Sequence, residues 1–149
     1  MTPAPAVQSN DSYLVDETEG SIDQHFKLQR FNLANQLDPS FNGVEIGFDG
    51  TNTRNASQDY AHLVQPDGSI VVAGRLLVSP DQAFGLARML SNGTLDPTFG
   101  SEGSLTTLFP GDSSRATAIT LQADGNIVAA GTADGAATTY LAVARYLGN

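Results

Sequence analysis

The chain has 149 residues, 40% of them hydrophobic, with 16 acidic against 7 basic side chains and a net charge of -9, a length suited to one globular domain that buries roughly 70% of its unfolded surface. The acidic balance and the scatter of the basic residues exclude nucleic acid as a partner. The absence of cysteine excludes disulfides, thiolate nucleophiles and sulfur-ligated metals.

The N-terminal Met1-Thr-Pro-Ala-Pro-Ala6 has neither the basic segment nor the apolar run of a secretory signal, and no stretch approaches the roughly 20 apolar residues of a membrane span. A first element, Ala4 to Val15 around Gln8, returns as Ala61 to Val72 around Gln65 and as Ala118 to Ala129 around Gln122, a period of 57 residues. A second, Phe26-Lys-Leu-Gln-Arg30-Phe31, returns as Phe84-Gly-Leu-Ala-Arg88-Met89 and Leu141-Ala-Val-Ala-Arg145-Tyr146. A third, Leu37-Asp-Pro-Ser-Phe41, returns as Leu95-Asp-Pro-Thr-Phe99 and precedes the β-like runs Gly43 to Phe48 and Gly103 to Phe109. A period of this size marks stacked supersecondary units.

Each full unit holds four apolar runs, A to D in chain order, with about 14 residues for each run and its connection. No room remains for a helix. Pro66-Asp-Gly and Ala123-Asp-Gly between A and B are hairpin signals, because Gly takes a positive φ and Asp bonds its own backbone. The chain therefore reads as all-β, a β-propeller of four-stranded antiparallel blades. It forms a single module over 1–149, with blade 1 at about 4–48, blade 2 at about 58–109 and blade 3 at about 115–147. The last blade lacks its outer strand.

Leu121-Gln-Ala-Asp-Gly-Asn-Ile-Val-Ala-Ala-Gly131, Leu86-Ala-Arg-Met89 and Asn92-Gly-Thr-Leu-Asp-Pro-Thr-Phe-Gly100 resemble the Delta-60 repeat of bacterial proteins. The resemblance covers nearly the whole chain. It implies a propeller-like fold and a place in secreted or surface proteins, and no assigned chemistry. Unit 1 departs from the pattern: Ser9-Asn-Asp11 replaces Pro-Asp-Gly, and Asp16-Glu17 replaces Ala-Gly.

Propellers close with about four to eight blades, so three blades expose two apolar faces. Two copies joined head to tail would complete a six-bladed ring, and the expected partner is a second copy of the chain. One Arg per unit (Arg30, Arg88, Arg145) reads as structural, paired with a turn acid such as Asp38 or Asp96 or with a neighbouring blade. The repeated aromatics read as core or turn anchors. His62, in strand A, falls near the channel and is expected to be satisfied or solvated; His25 is expected in a loop. Asp49 to Asn55 lacks the alternating acids and distal Glu of a calcium loop and reads as a turn. Asn10, Asn55 and Asn92 fit the glycosylation sequon and read as turn residues.

No nucleophile elbow, phosphate loop, dinucleotide fingerprint or metal cluster is legible, so no catalytic residue, cofactor or metal is assigned. The A–B and C–D turns are nearly constant between units, whereas the B–C and D–A connections vary. Ligand contacts are therefore expected on the second set or at the channel mouth, with Arg54, Asp59, Asp81, Asp112, Arg115 and His62 as candidates. The expected function is a non-catalytic binding or scaffold module for a small molecule, glycan or protein. A lectin-like version would gain avidity from repeated pockets, although the chain has no Trp and only 4 Tyr for stacking on sugars. A hydrolase or lyase with paired channel carboxylates is the enzymatic alternative.

Overall fold

Among the described residues, eleven strands follow the apolar runs. Unit 1 contributes β1 (Ala6–Val7), β2 (Tyr13–Glu19), β3 (His25–Phe31) and β4 (Glu45–Ile46); unit 2 contributes β5 (Gln58–Val64), β6 (Ile70–Val78), β7 (Asp81–Met89) and β8 (Ser104–Thr107). Unit 3 contributes β9 (Ser113–Leu121), β10 (Ile127–Asp134) and β11 (Thr139–Tyr146). The computed structural model describes residues 6–7, 13–19, 25–41, 43, 45–46, 58–78, 81–111 and 113–148, with backbone alone at 6–7, 13, 15–19, 25–27, 45–46 and 58–60. Among the described residues there is no helix. His25 is a strand residue, registered opposite Glu19, rather than a loop residue; the β2–β3 ladder runs to the ends of both strands and takes it in.

Every pair of consecutive strands within a unit is antiparallel. A single parallel bridge, Gln82 to Ser113, joins β7 of unit 2 to β9 of unit 3. The hairpins close as their sequence dictates. Gly68 and Gly125 take φ of 86° and 82°, and Asp67 Oδ1 and Asp124 Oδ1 accept the N–H of Ser69 at 2.9 Å and of Asn126 at 3.1 Å. The unit 1 hairpin carrying Ser9-Asn-Asp11 lies outside the described residues. Asn92, one of the three sequon positions, caps its own turn by accepting from Thr94 N–H at 3.1 Å and Thr94 Oγ1 at 2.8 Å; Asn10 and Asn55 lie outside the described residues.

Strand A carries a bulge at the same place in units 2 and 3. Asp59 pairs with Gly74 and Ala61 with Ala73, skipping Tyr60; Ala116 pairs with Gly131 and Ala118 with Ala130, skipping Thr117. The extra residue pushes strand A against strand B. A Cβ on Gly131 would overlap the Arg115 carbonyl oxygen and come within 2.9 Å of Ala116 Cα. Gly131 of the repeated Ala-Gly dipeptide is therefore a close-approach position. Gly131→Ala is expected to lower stability by about 1–3 kcal/mol in urea denaturation, and a loss below about 0.5 kcal/mol would mean that the bulge opens to admit a methyl group.

The period-two alternation of each strand supplies two faces, and the core lies between units. Leu14, Leu28 and Phe41 of unit 1 pack on Ile70, Val72, Leu76, Ala87 and Met89 of unit 2. From the other face of unit 2, Val71, Ala73, Phe84, Leu86 and Phe99 pack on Ala116, Ile127, Ala129, Ala133 and Ala142 of unit 3. Each unit thus presents a forward face to the rear face of the next. The three units are stacked blades of a β-propeller, and among the described residues no closing contact from unit 3 back to unit 1 stands with the stronger element contacts.

Candidate functional site

The Arg of strand C anchors one blade to the next. Arg88 Nε donates to Asp96 Oδ2 at 2.8 Å and its NH2 to Thr98 Oγ1 at 3.3 Å. The guanidinium carbon sits 4.7 Å from the centre of the Phe99 ring, an attractive cation–π geometry. Its third nitrogen, NH1, donates to the carbonyl of Gly148 in unit 3. Arg30 repeats the arrangement with Asp38 at 2.8 Å, Ser40 at 3.3 Å, the Phe41 ring at 4.9 Å and, in unit 2, the Ser91 carbonyl at 2.7 Å. Both sequence expectations for these residues hold together: each Arg pairs with its turn acid and reaches the neighbouring blade.

The acids are tuned by the same turns. Hydrogen bonds from the Ser40 hydroxyl and N–H, with Arg30 beside it, hold the Asp38 carboxyl below its usual range. At Asp96 desolvation pushes upward, but the Thr98 hydroxyl and N–H and Arg88 outweigh it, so the carboxyl is again held low. Ser69 does the same to Asp67, and Asn126, then Arg145, to Asp124.

The Arg of unit 3 has different partners. Arg145 folds back on its own A–B hairpin, donating from Nε to Gln122 Oε1 and from NH2 to Asp124 Oδ2, both at 2.7 Å. The residues around it are uncovered. Leu141 and Val143 are 77% and 53% exposed, whereas Phe84 and Leu86, their unit 2 counterparts, are fully buried.

Beside this clamp runs a groove of about 570 Å³ between the A–B hairpins of units 2 and 3, lined by Gln65, Pro66 and Asp67 on one side and Gln122 to Asn126 on the other, with Leu121, Leu147 and Gly148 completing it. It lies at the end of the blades that carries the A–B and C–D turns, opposite the end that sequence variation singled out. Gln65 is only 9% exposed, and its Oε1 has no hydrogen-bond partner. The periodicity contained this site only in part: the Gln and Asp are the repeat's own residues, but their facing across two hairpins is a tertiary fact.

The described structure places only some of the sequence-predicted candidates. Arg54 and Asp112 lie outside the described residues, and of Asp59 only the backbone is described, at the strand A bulge. Asp81 opens β7 opposite Val78, and Arg115 lies in β9 opposite Thr132. His62, in β5 opposite Val72, is neither satisfied nor solvated as expected: both ring nitrogens are buried without a partner, and burial lowers its pKa. At that end a cluster unforeseen from the sequence centres on Gln82, whose Oε1 accepts from Arg75 NH1 at 3.1 Å and Ser113 Oγ at 2.9 Å. Its carbonyl accepts from Ser114 Oγ at 3.3 Å. No group of three His, Cys, Asp or Glu among the described residues could hold a metal ion.

Comparison with known proteins gives no match among curated proteins or solved structures. Residues 65–99 and 122–149, which begin at the repeated Gln of units 2 and 3 and carry the hairpins and the anchoring Arg, are similar to the family described as a domain of unknown function (DUF5122) beta-propeller.

Proposed function

We propose that the chain is a non-catalytic β-propeller module for binding and scaffolding, of the Delta-60 repeat kind, that pairs head to tail with a second copy to complete a six-bladed ring. The observation that carries this reading is the forward face of unit 3, where Leu141 and Val143 stand exposed at positions whose unit 2 counterparts are buried against the next blade. Burying such side chains contributes about 1.5–3 kcal/mol each. The anchoring Arg supports the same reading. Arg30 and Arg88 each reach a carbonyl in the following unit, Ser91 and Gly148, and the corresponding carbonyl of unit 1 is that of Leu33. In the ring, Arg145 leaves its own hairpin for the Leu33 carbonyl of a second copy.

Light scattering on the purified chain tests this. The expected mass is twice the 15.6 kDa of one chain, and Leu141→Asp with Val143→Asp is expected to return it to one. A stable single-chain mass across the micromolar range, or a dimer indifferent to both substitutions, would overturn the proposal.

A further inference from the structure

Arg115 is half-buried in β9, and among the described residues its side chain has no ion pair or hydrogen bond. Its neighbour Ala116 belongs to the core between units 2 and 3, so alternation puts Arg115 on the forward face of unit 3. There it begins a row that crosses the sheet through Thr132 to Leu141, the exposed leucine of that face. Asp134, farther along the same face, accepts from Thr139 Oγ1 at 2.6 Å.

Unit 1 departs from the other copies at the places that would meet this row. Glu17 and Glu19 stand where unit 3 has Gly131 and Ala133, and Ala133 is 1% exposed in the core against unit 2. Unit 3 needs a glycine there because strand A presses the Arg115 carbonyl against it. In unit 1, β1 registers only with Tyr13 and Leu14, so among the described residues no strand A backbone lies opposite Glu17. Lys27 registers between Glu17 and Glu45 and offsets one acid, which leaves these places with a net negative charge.

We propose that the seam between two copies is keyed by charge, with Arg115 of one copy meeting Glu17 and Glu19 of the other; the inference rests on the head-to-tail ring. Register sets the meeting. The unit 2 counterpart of the row Arg115, Thr132, Leu141 is Gln58, Arg75, Phe84, and Phe84 shares a core cluster with Ala133 and Ala142 of unit 3. Glu19 and Lys27 hold the places of those two alanines in unit 1. Each copy carries a net charge of -9, so two copies repel unless a local basic group faces a local acidic one. Leu141 and Val143 supply the apolar part of the seam, and the charges select its partner. Two forward faces would set Arg115 against Arg115, and two rear faces would set acid against acid, so only the head-to-tail pairing is complementary.

The test uses two variants of the whole chain, one with Arg115→Glu and one with both Glu17→Arg and Glu19→Arg, followed by light scattering over a dilution series. Each variant alone is expected to dimerise about tenfold more weakly than the wild type, or worse, since both of its seams bring like charges together. Mixed in equal amounts, the two are expected to dimerise with each other. One seam of the mixed ring is then wild type and the other has its charges exchanged, and this recovery keeps the test decisive should either variant fold less well alone. Charge variants that dimerise as the wild type does, while Leu141→Asp with Val143→Asp dissociates it, would overturn the charge key and leave the ring standing. Variants that weaken alone and do not recover on mixing would overturn the key as well. A wild-type chain that stays single across the micromolar range would overturn the ring and the key together.

Discussion

Replacing Arg88 by Met will destabilise the protein by about 3–5 kcal/mol, because it leaves a buried carboxylate without its counter-charge. The side chains of Arg88 and Asp96 are only 7% and 9% exposed, so water cannot take the place of the missing guanidinium. The Phe99 ring and the Gly148 carbonyl lose their partner in the same step. The repeat supplies its own controls. Arg30→Met should be milder, since Asp38 is 28% exposed, and Arg145→Met should be the mildest, as surface pairs are, with both partners more than half exposed. The order Arg88, Arg30, Arg145 is read by urea denaturation; an Arg88→Met loss under about 1 kcal/mol would mean that Asp96 finds another partner. Adding Asp96→Asn to Arg88→Met should recover part of the loss, since no charge then remains buried. The pH dependence has a definite sign. A carboxyl whose folded pKa lies below its ordinary 3.8 contributes stability that is complete above that value and is lost as the pH falls through the folded pKa. Wild-type stability should therefore decline below about pH 4, and Arg88→Met should show a smaller acid-dependent decline.

What could be read from the sequence was what the repeat contains within one unit. Arg88 and Asp96 stand eight positions apart in the same unit and recur as Arg30 and Asp38, so their pairing follows from register and turn chemistry. The Asp-Gly hairpins are equally local. What lay hidden was made by neighbouring units meeting. The groove brings Gln65 opposite Gln122 across two hairpins, and the Gln82 cluster joins β7 to Ser113 and Ser114 of β9, 31 and 32 positions away. Gly131 was visible as half of a repeated Ala-Gly, but its reason, the Arg115 carbonyl pressed on it by the bulge, belongs to the pairing of strands. Variation between copies drew attention to one end of the blades. Gln65, whose Oε1 has no hydrogen-bond partner, lies at the other, because a residue kept for the turn in every unit acquires a different environment where its Arg is drawn away.

Phe84 and Leu141 hold the same place in consecutive units, and their truncation should give opposite results in a single chain. Phe84 is fully buried, packed in the unit 2–unit 3 core with its ring 4.7 Å from that of Phe109, tilted by 58°. Phe84→Ala is expected to lower stability by about 3–5 kcal/mol, as buried Phe truncations do, because the rigid sheets on either side cannot close the cavity. Leu141, 77% exposed, has no such packing within its chain. Leu141→Ala should change unfolding free energy by less than about 0.5 kcal/mol when measured at dilutions where light scattering reports one chain. At concentrations where chains pair, the same substitution should instead weaken association, since the leucine then occupies the position that Phe84 occupies between blades. Measuring both variants at both concentrations separates the two roles: a Leu141→Ala loss that does not vary with concentration would mean that unit 3 buries this face by itself, and a Phe84→Ala loss below about 1 kcal/mol would mean that the blades are not locked together by their facing cores.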